Sequence, residues 1–103
     1  LINRERLAEM KSTAILINCA RGPMVDEAAL IEALQSGRLA GAGLDVTDRE
    51  PVAPASPLFQ MPSVIDTPHY APTTIESAMR VSKIASENVI ACLSGGEPVG
   101  RLV

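Results

Sequence analysis

Aromatic residues are nearly missing from this chain: among 103 residues there are one Tyr, one Phe and no Trp. Binding of single-stranded nucleic acid leans on stacked aromatic platforms, so this composition argues against it. Histidine occurs once, at position 69, and cysteine twice, at positions 19 and 92. A structural zinc site needs several Cys or His ligands at close spacing, so no metal is expected. Two distant cysteines make no disulfide framework and suit a reduced, cytoplasmic setting. Nor is there a block of like charge: 9 basic and 12 acidic residues are interspersed, for a net charge of -3. Neither nucleic acid nor an anionic membrane is therefore expected as a partner. No apolar run approaches the roughly 20 residues of a membrane span. The opening Leu1-Ile2-Asn3-Arg4-Glu5-Arg6 is not a signal peptide, and its lack of an initiator Met points to a fragment or a processed product.

Aliphatic residues take the place of aromatics. Apolar side chains make up 47% of the chain, mostly Leu, Ile, Val, Ala and Met, which suits parallel strands buried on both faces. Asn3 reads as the cap of a short helix over Arg4–Lys11, with Leu7 and Met10 inward. Ala14–Ala20 reads as a buried strand, broken by Gly22-Pro23. Asp26 caps a second helix with Leu30, Ile31 and Leu34 on one side, and Gly37 stops it. Ala40–Val46 is the next strand, and Ser63–Thr67 the third. Between them, Thr47–Pro62 is a proline-rich connection of a length more often functional than accidental. Thr73 with Glu76 offers a capping box for a last helix ending near Leu93, before Gly95-Gly96. The alternation predicts an α/β fold: a partial Rossmann-like parallel sheet of about three strands flanked by helices. Three strands leave two open edges and two faces to cover, so the chain reads as a fragment of a larger doubly wound domain.

Three charged residues lie just beyond the apolar runs: Arg21 after the first, Glu50 in the loop after the second, His69 after the third. In parallel strands all three fall at the carboxyl edge, where open α/β sheets bind ligands. Arginine offers a planar fork that grips a carboxylate through two hydrogen bonds. Histidine exchanges protons near neutral pH, and a carboxylate beside it fixes the ring's tautomer and favours the charged form. Each residue alone has an ordinary reading: a surface arginine, a solvated loop glutamate, a histidine that satisfies loop backbone. Asp48 and Arg49 leave the choice of acid open on spacing alone. Asp45, at the end of an apolar strand, needs a partner, which a cofactor carboxamide or the amides of the following loop could supply. No Gly-x-Gly-x-x-Gly follows a strand, since Gly37, Gly41 and Gly43 are spaced otherwise, so a phosphate-binding turn is not in these residues.

Taken together, Ile15-Leu16-Ile17-Asn18-Cys19-Ala20-Arg21-Gly22-Pro23, Ala40–Val46 with Glu50-Pro51, and Thr67-Pro68-His69 resemble three signature segments of the NAD-dependent D-isomer-specific 2-hydroxyacid dehydrogenases, in the right order. The resemblance implies an oxidoreductase that passes a hydride between NAD, or NADP, and a 2-hydroxy or 2-keto acid. Arg21, Glu50 and His69 would be catalytic: Arg21 the substrate clamp, His69 the acid/base, Glu50 its partner. Cys19, Ala20, Arg21, Asp45, His69 and Ala71 would meet the cofactor. Residues 1–103 would be the C-terminal half of the dinucleotide-binding domain, with the helix over about 73–94 crossing toward a substrate domain. A homodimer, or self-association of the fragment, is the expected assembly. Thr47, Tyr70 and Pro72 depart from the residues common at their positions. Two other readings remain: a nucleotide-sensing or interaction protein without enzymatic activity, and an inactive self-associating fragment.

Overall fold

A computed structural model describes residues 1–101, in two compact units divided between Ala71 and Pro72. The first unit runs α1 (Arg4–Glu9), β1 (Ile15–Asn18), α2 (Glu27–Gln35), β2 (Gly41–Leu44) and β3 (Val64–Asp66), and the second holds α3 (Ile75–Leu93). The strands form one parallel sheet in the order β1-β2-β3. Each predicted strand is present but shorter at both ends, because the ladder stops where the loops turn away. Helix α1 likewise ends at Glu9, two residues before Lys11.

Local chemistry accounts for the helix ends. The Asn3 carboxamide accepts from the Arg6 N–H at 3.1 Å, and the Asp26 carboxylate from the Ala29 N–H at 3.0 Å. Gly37 takes φ +68° just past α2. Its N–H donates to the Leu34 carbonyl at 3.1 Å and that of Arg38 to the Ala33 carbonyl at 2.9 Å, the paired closure of a Schellman motif. The cap of α3 is Thr74, not Thr73: its hydroxyl accepts from the Ser77 N–H at 3.0 Å. Thr73 lies inside a turn closed by the Thr74 N–H on the Pro72 carbonyl, so the capping box with Glu76 does not form.

The core lies on one face of the sheet. Leu16, Ala42 and Leu44 pack with Leu7 of α1 and with Ala29, Leu30, Ala33 and Leu34 of α2. Leu58, in an unforeseen 3₁₀ turn over Pro57–Gln60, is only 1% exposed and plugs into this core. Full burial of such a side chain contributes about 1.5–3 kcal/mol. The expectation that the strands are covered on both faces is met on one only: Ile15, Ile17 and Ile65 remain 63%, 73% and 72% exposed. Both helices of the unit that pack on the sheet lie on the face of Leu16 and Leu44, which leaves the alternating positions bare. In the second unit, no residue of α3 is buried.

Candidate active site

The register brings the three loops to one line. Asn18 pairs with Leu44, and Leu44 with Asp66, so β1, β2 and β3 end side by side. The segments that follow carry Arg21, Glu50 and His69 away from the same carboxyl edge.

Glu50 and His69 meet directly. The Glu50 Oε2 lies 2.9 Å from the His69 Nδ1, and both side chains are half exposed. The other carboxylate oxygen, Oε1, accepts from the Thr47 N–H at 3.3 Å. The hydrogen bond to His69, reinforced by that backbone N–H and by the charge of Arg21, holds the Glu50 carboxyl below the usual glutamate range despite partial desolvation. Of the candidate acids in this loop it is Glu50, rather than Asp48, that reaches the ring. His69 itself adopts φ +58°, the left-handed region that histidine enters more readily than most residues.

Asp45 explains how that conformation is held. It is 5% exposed, and three donors converge on it. Its Oδ1 accepts from the Thr67 hydroxyl at 2.6 Å and the Tyr70 N–H at 2.7 Å, while Oδ2 accepts from the Ala71 N–H at 2.9 Å. The Thr67 hydroxyl above all, then the two amides, keeps the carboxyl below its ordinary range against the cost of burial. These donors are not the amides of the following loop that the sequence suggested: the Thr67 hydroxyl and both amides lie beyond β3, and the N–H of Ala71 is spent on this bond.

Arg21 is exposed at the end of its loop, and its Nη1 donates to the Ala20 carbonyl at 2.6 Å. It bonds neither Glu50 nor His69, which leaves most of its guanidinium open. Cys19 and Ala20 are exposed beside it, the former as a free thiol. The turn is stapled by buried Asn18, whose carboxamide nitrogen donates to the Arg21 carbonyl at 3.0 Å and whose oxygen accepts from the Ala20 N–H at 3.1 Å. Sequence reasoning missed Asn18. A carboxamide at the end of an apolar strand, with no charge to neutralise, was the available signal.

A cavity of about 140 Å³ lies against the pair, lined by Asp45, Thr47, Glu50, Asp66, Thr67 and His69 among others. Partial burial, together with the negative charges of Asp45, Glu27 and Glu50, pushes the Asp66 carboxyl up. A larger cleft of about 310 Å³, between α1 and α2, contains none of the strand-end residues and is lined by the Arg4–Glu32 ion pair and Arg38. Chemistry, not volume, marks the smaller cavity as the candidate site. No cluster of His, Cys, Asp and Glu suited to a metal occurs among the described residues.

Comparison with known proteins places this arrangement. The family described as D-isomer specific 2-hydroxyacid dehydrogenase, NAD binding domain, matches residues 1–71. A glyoxylate reductase of Thermofilum pendens is 51% identical over 98 residues, which is 95% of this chain and 29% of the relative. A glyoxylate/hydroxypyruvate reductase B of Serratia proteamaculans is 50% identical over 95 residues, 92% of this chain and 29% of its own length. The chain therefore spans under a third of these relatives. Among solved structures, a D-isomer specific 2-hydroxyacid dehydrogenase from Xanthobacter autotrophicus Py2, in complex with NADPH and MES, superposes with a TM-score of 0.88 at 43% identity, covering 100% of this chain and 42% of that one. The D-lactate dehydrogenase of Lactobacillus jensenii, with NAD+, gives 0.81 at 38% identity over 99% of this chain and 34% of that one. The match of the three parallel strands and their loops, over most of the chain, identifies it as a member of the D-isomer specific 2-hydroxyacid dehydrogenase family, from the NAD-binding domain.

Proposed function

We propose that these residues form the acid–base half of an NAD(P)-dependent enzyme that reduces a small 2-keto acid, and oxidises the 2-hydroxy acid in reverse. The observation that carries this reading is the 2.9 Å contact of Glu50 with His69, on the sheet edge shared with Arg21. The relatives' names, glyoxylate reductase and glyoxylate/hydroxypyruvate reductase, support glyoxylate and hydroxypyruvate as first candidates.

The residues fit the nicotinamide end of a cofactor. A small cavity lined by Asp45, Glu50 and His69 among others adjoins the strand ends, and Cys19, Ala20, Arg21 and Ala71 are the further residues proposed to meet the cofactor there. A pyrophosphate cradle would have to come from residues beyond these 103. When bound, the nicotinamide supplies hydride chemistry. The side chains do the rest. Arg21 grips the substrate carboxylate and turns its carbonyl toward His69. With Nδ1 hydrogen-bonded to Glu50, Nε2 is the ring nitrogen free to give its proton to the carbonyl oxygen as the C–H bond forms. The Glu50 carboxylate stabilises the imidazolium before transfer and keeps the proton on Nδ1 afterwards.

The helix α3, with no residue buried and its large apolar side chains exposed, fits a surface on a substrate domain or a second subunit. Two free, exposed cysteines fit a cytoplasmic protein. No described helix is long and apolar enough to cross a membrane.

The test follows oxidation of NADH or NADPH with glyoxylate, hydroxypyruvate or pyruvate, using the 103-residue chain and a longer polypeptide that joins it to a phosphate-binding turn. Turnover by the longer polypeptide and none by the chain alone is the expected result. A longer polypeptide that binds cofactor yet reduces no 2-keto acid overturns the proposal.

A further inference from the structure

We infer that Thr47 is a positioning residue that sets the Glu50 carboxylate against His69. Thr47 is 6% exposed, in a loop whose neighbours Asp48, Arg49 and Glu50 all face solvent. Its hydroxyl donates to the Arg49 carbonyl at 3.0 Å, which folds the chain back on itself. The fold-back brings Glu50 under the Thr47 N–H, and that N–H donates to Glu50 Oε1 at 3.3 Å. One carboxylate oxygen is thereby tethered, and the other, Oε2, is presented to the His69 Nδ1 at 2.9 Å.

Two further contacts fix the frame. The Glu27 Oε2, at the start of α2, accepts from the Asp48 N–H at 3.0 Å. Gly22 lies so close beneath the Thr47 carbonyl that no side chain fits there. The loop is therefore clamped from outside by α2 and the β1 turn, and from within by the Thr47 hydroxyl. A half-exposed glutamate without such a tether would spend much of its time turned to water. A valine at position 47 has nearly the same shape and would fill the same space, but it cannot close the turn and leaves a carbonyl without its donor.

The consequence for catalysis rests on the proposed function, but the geometric claim does not, and His69 being the only histidine makes it measurable in the 103-residue chain. Long-range ¹H–¹⁵N correlation of the single imidazole, above its titration range, reports which ring nitrogen carries the proton. The wild type and Thr47→Ser should hold it on Nδ1. In Thr47→Val the ratio of the Nδ1–H to the Nε2–H tautomer should fall about 2- to 10-fold, the shift that loss of one modest hydrogen bond produces. If valine prevents folding, Thr47→Ala, which adds no bulk, must move the ratio the same way. A wild-type ratio in the folded valine or alanine variant overturns the inference. In the longer polypeptide the same variants should lower kcat for keto-acid reduction with little change in KM, and serine should restore it. A tautomer shift in a protein that never reduces a keto acid would refute the proposed function and leave the positioning role standing.

Discussion

Replacing His69 with asparagine is expected to slow keto-acid reduction by the longer polypeptide about 10²–10⁴-fold, the usual worth of a positioned acid–base group. Asparagine is the informative choice because residue 69 sits at φ +58°, and asparagine enters the left-handed region more readily than most side chains. The turn held by Asp45 should persist, so the loss would report chemistry rather than a collapsed loop. Cofactor affinity, measured by fluorescence titration, should fall far less than turnover does. A non-catalytic sensor of the same fold would show the opposite pattern, with no turnover to lose and partner binding intact. Turnover within a fewfold of wild type would remove His69 from the acid–base role.

The second large effect is expected at a residue that makes no chemistry. A Cβ built on Gly22 would lie 1.8 Å from the Thr47 carbonyl oxygen and 2.6 Å from the Asp48 nitrogen, both backbone atoms with no rotamer to give way. Gly22→Ala must push the β1 turn and the Glu50 loop apart. The stability cost should be at least the 1–3 kcal/mol of ordinary overpacking, read from the shift in denaturant midpoint. Turnover should fall further than stability does, by about 10²-fold, because displacement by an ångström at a catalytic group is enough for that. Gly43→Ala is the contrast. Its added Cβ meets only the Ile17 Cγ1 at 3.7 Å, an ordinary contact, and little should change. A Gly22→Ala protein as stable and active as wild type would mean that the two loops are not wedged together.

The elements and the chemical trio were legible because their signals are local. Apolar runs placed three strands, Asn3 and Asp26 announced the helix starts, and Gly37 announced a stop. Parallel strands then dictate that residues beyond their ends share an edge, which is why Arg21, Glu50 and His69 could be grouped before any coordinates. Much of what holds them in place was not legible, because it acts between segments far apart. Asp45 reaches Thr67, Tyr70 and Ala71 across the whole proline-rich connection, and Glu27 reaches Asp48. Composition could suggest that Asp45 needed a partner, not that its donors lie beyond β3. Adjacent threonines at 73 and 74 are equivalent by propensity, and only the turn on Pro72 selects the second. The bare face of Ile15, Ile17 and Ile65 was masked by the same feature that located the strands: continuous apolar runs read as buried on both sides, whether or not both covers are in the chain.

The most direct measurement is a crystal structure of the longer polypeptide with oxidised cofactor and an unreactive keto-acid analogue such as oxamate. The analogue's carboxylate is expected on the Arg21 guanidinium, and its carbonyl oxygen within hydrogen-bond distance of His69 Nε2, with Nδ1 still held by Glu50. An analogue seated away from the strand ends, or a His69 ring turned from both Glu50 and the ligand, would overturn the acid–base role of His69.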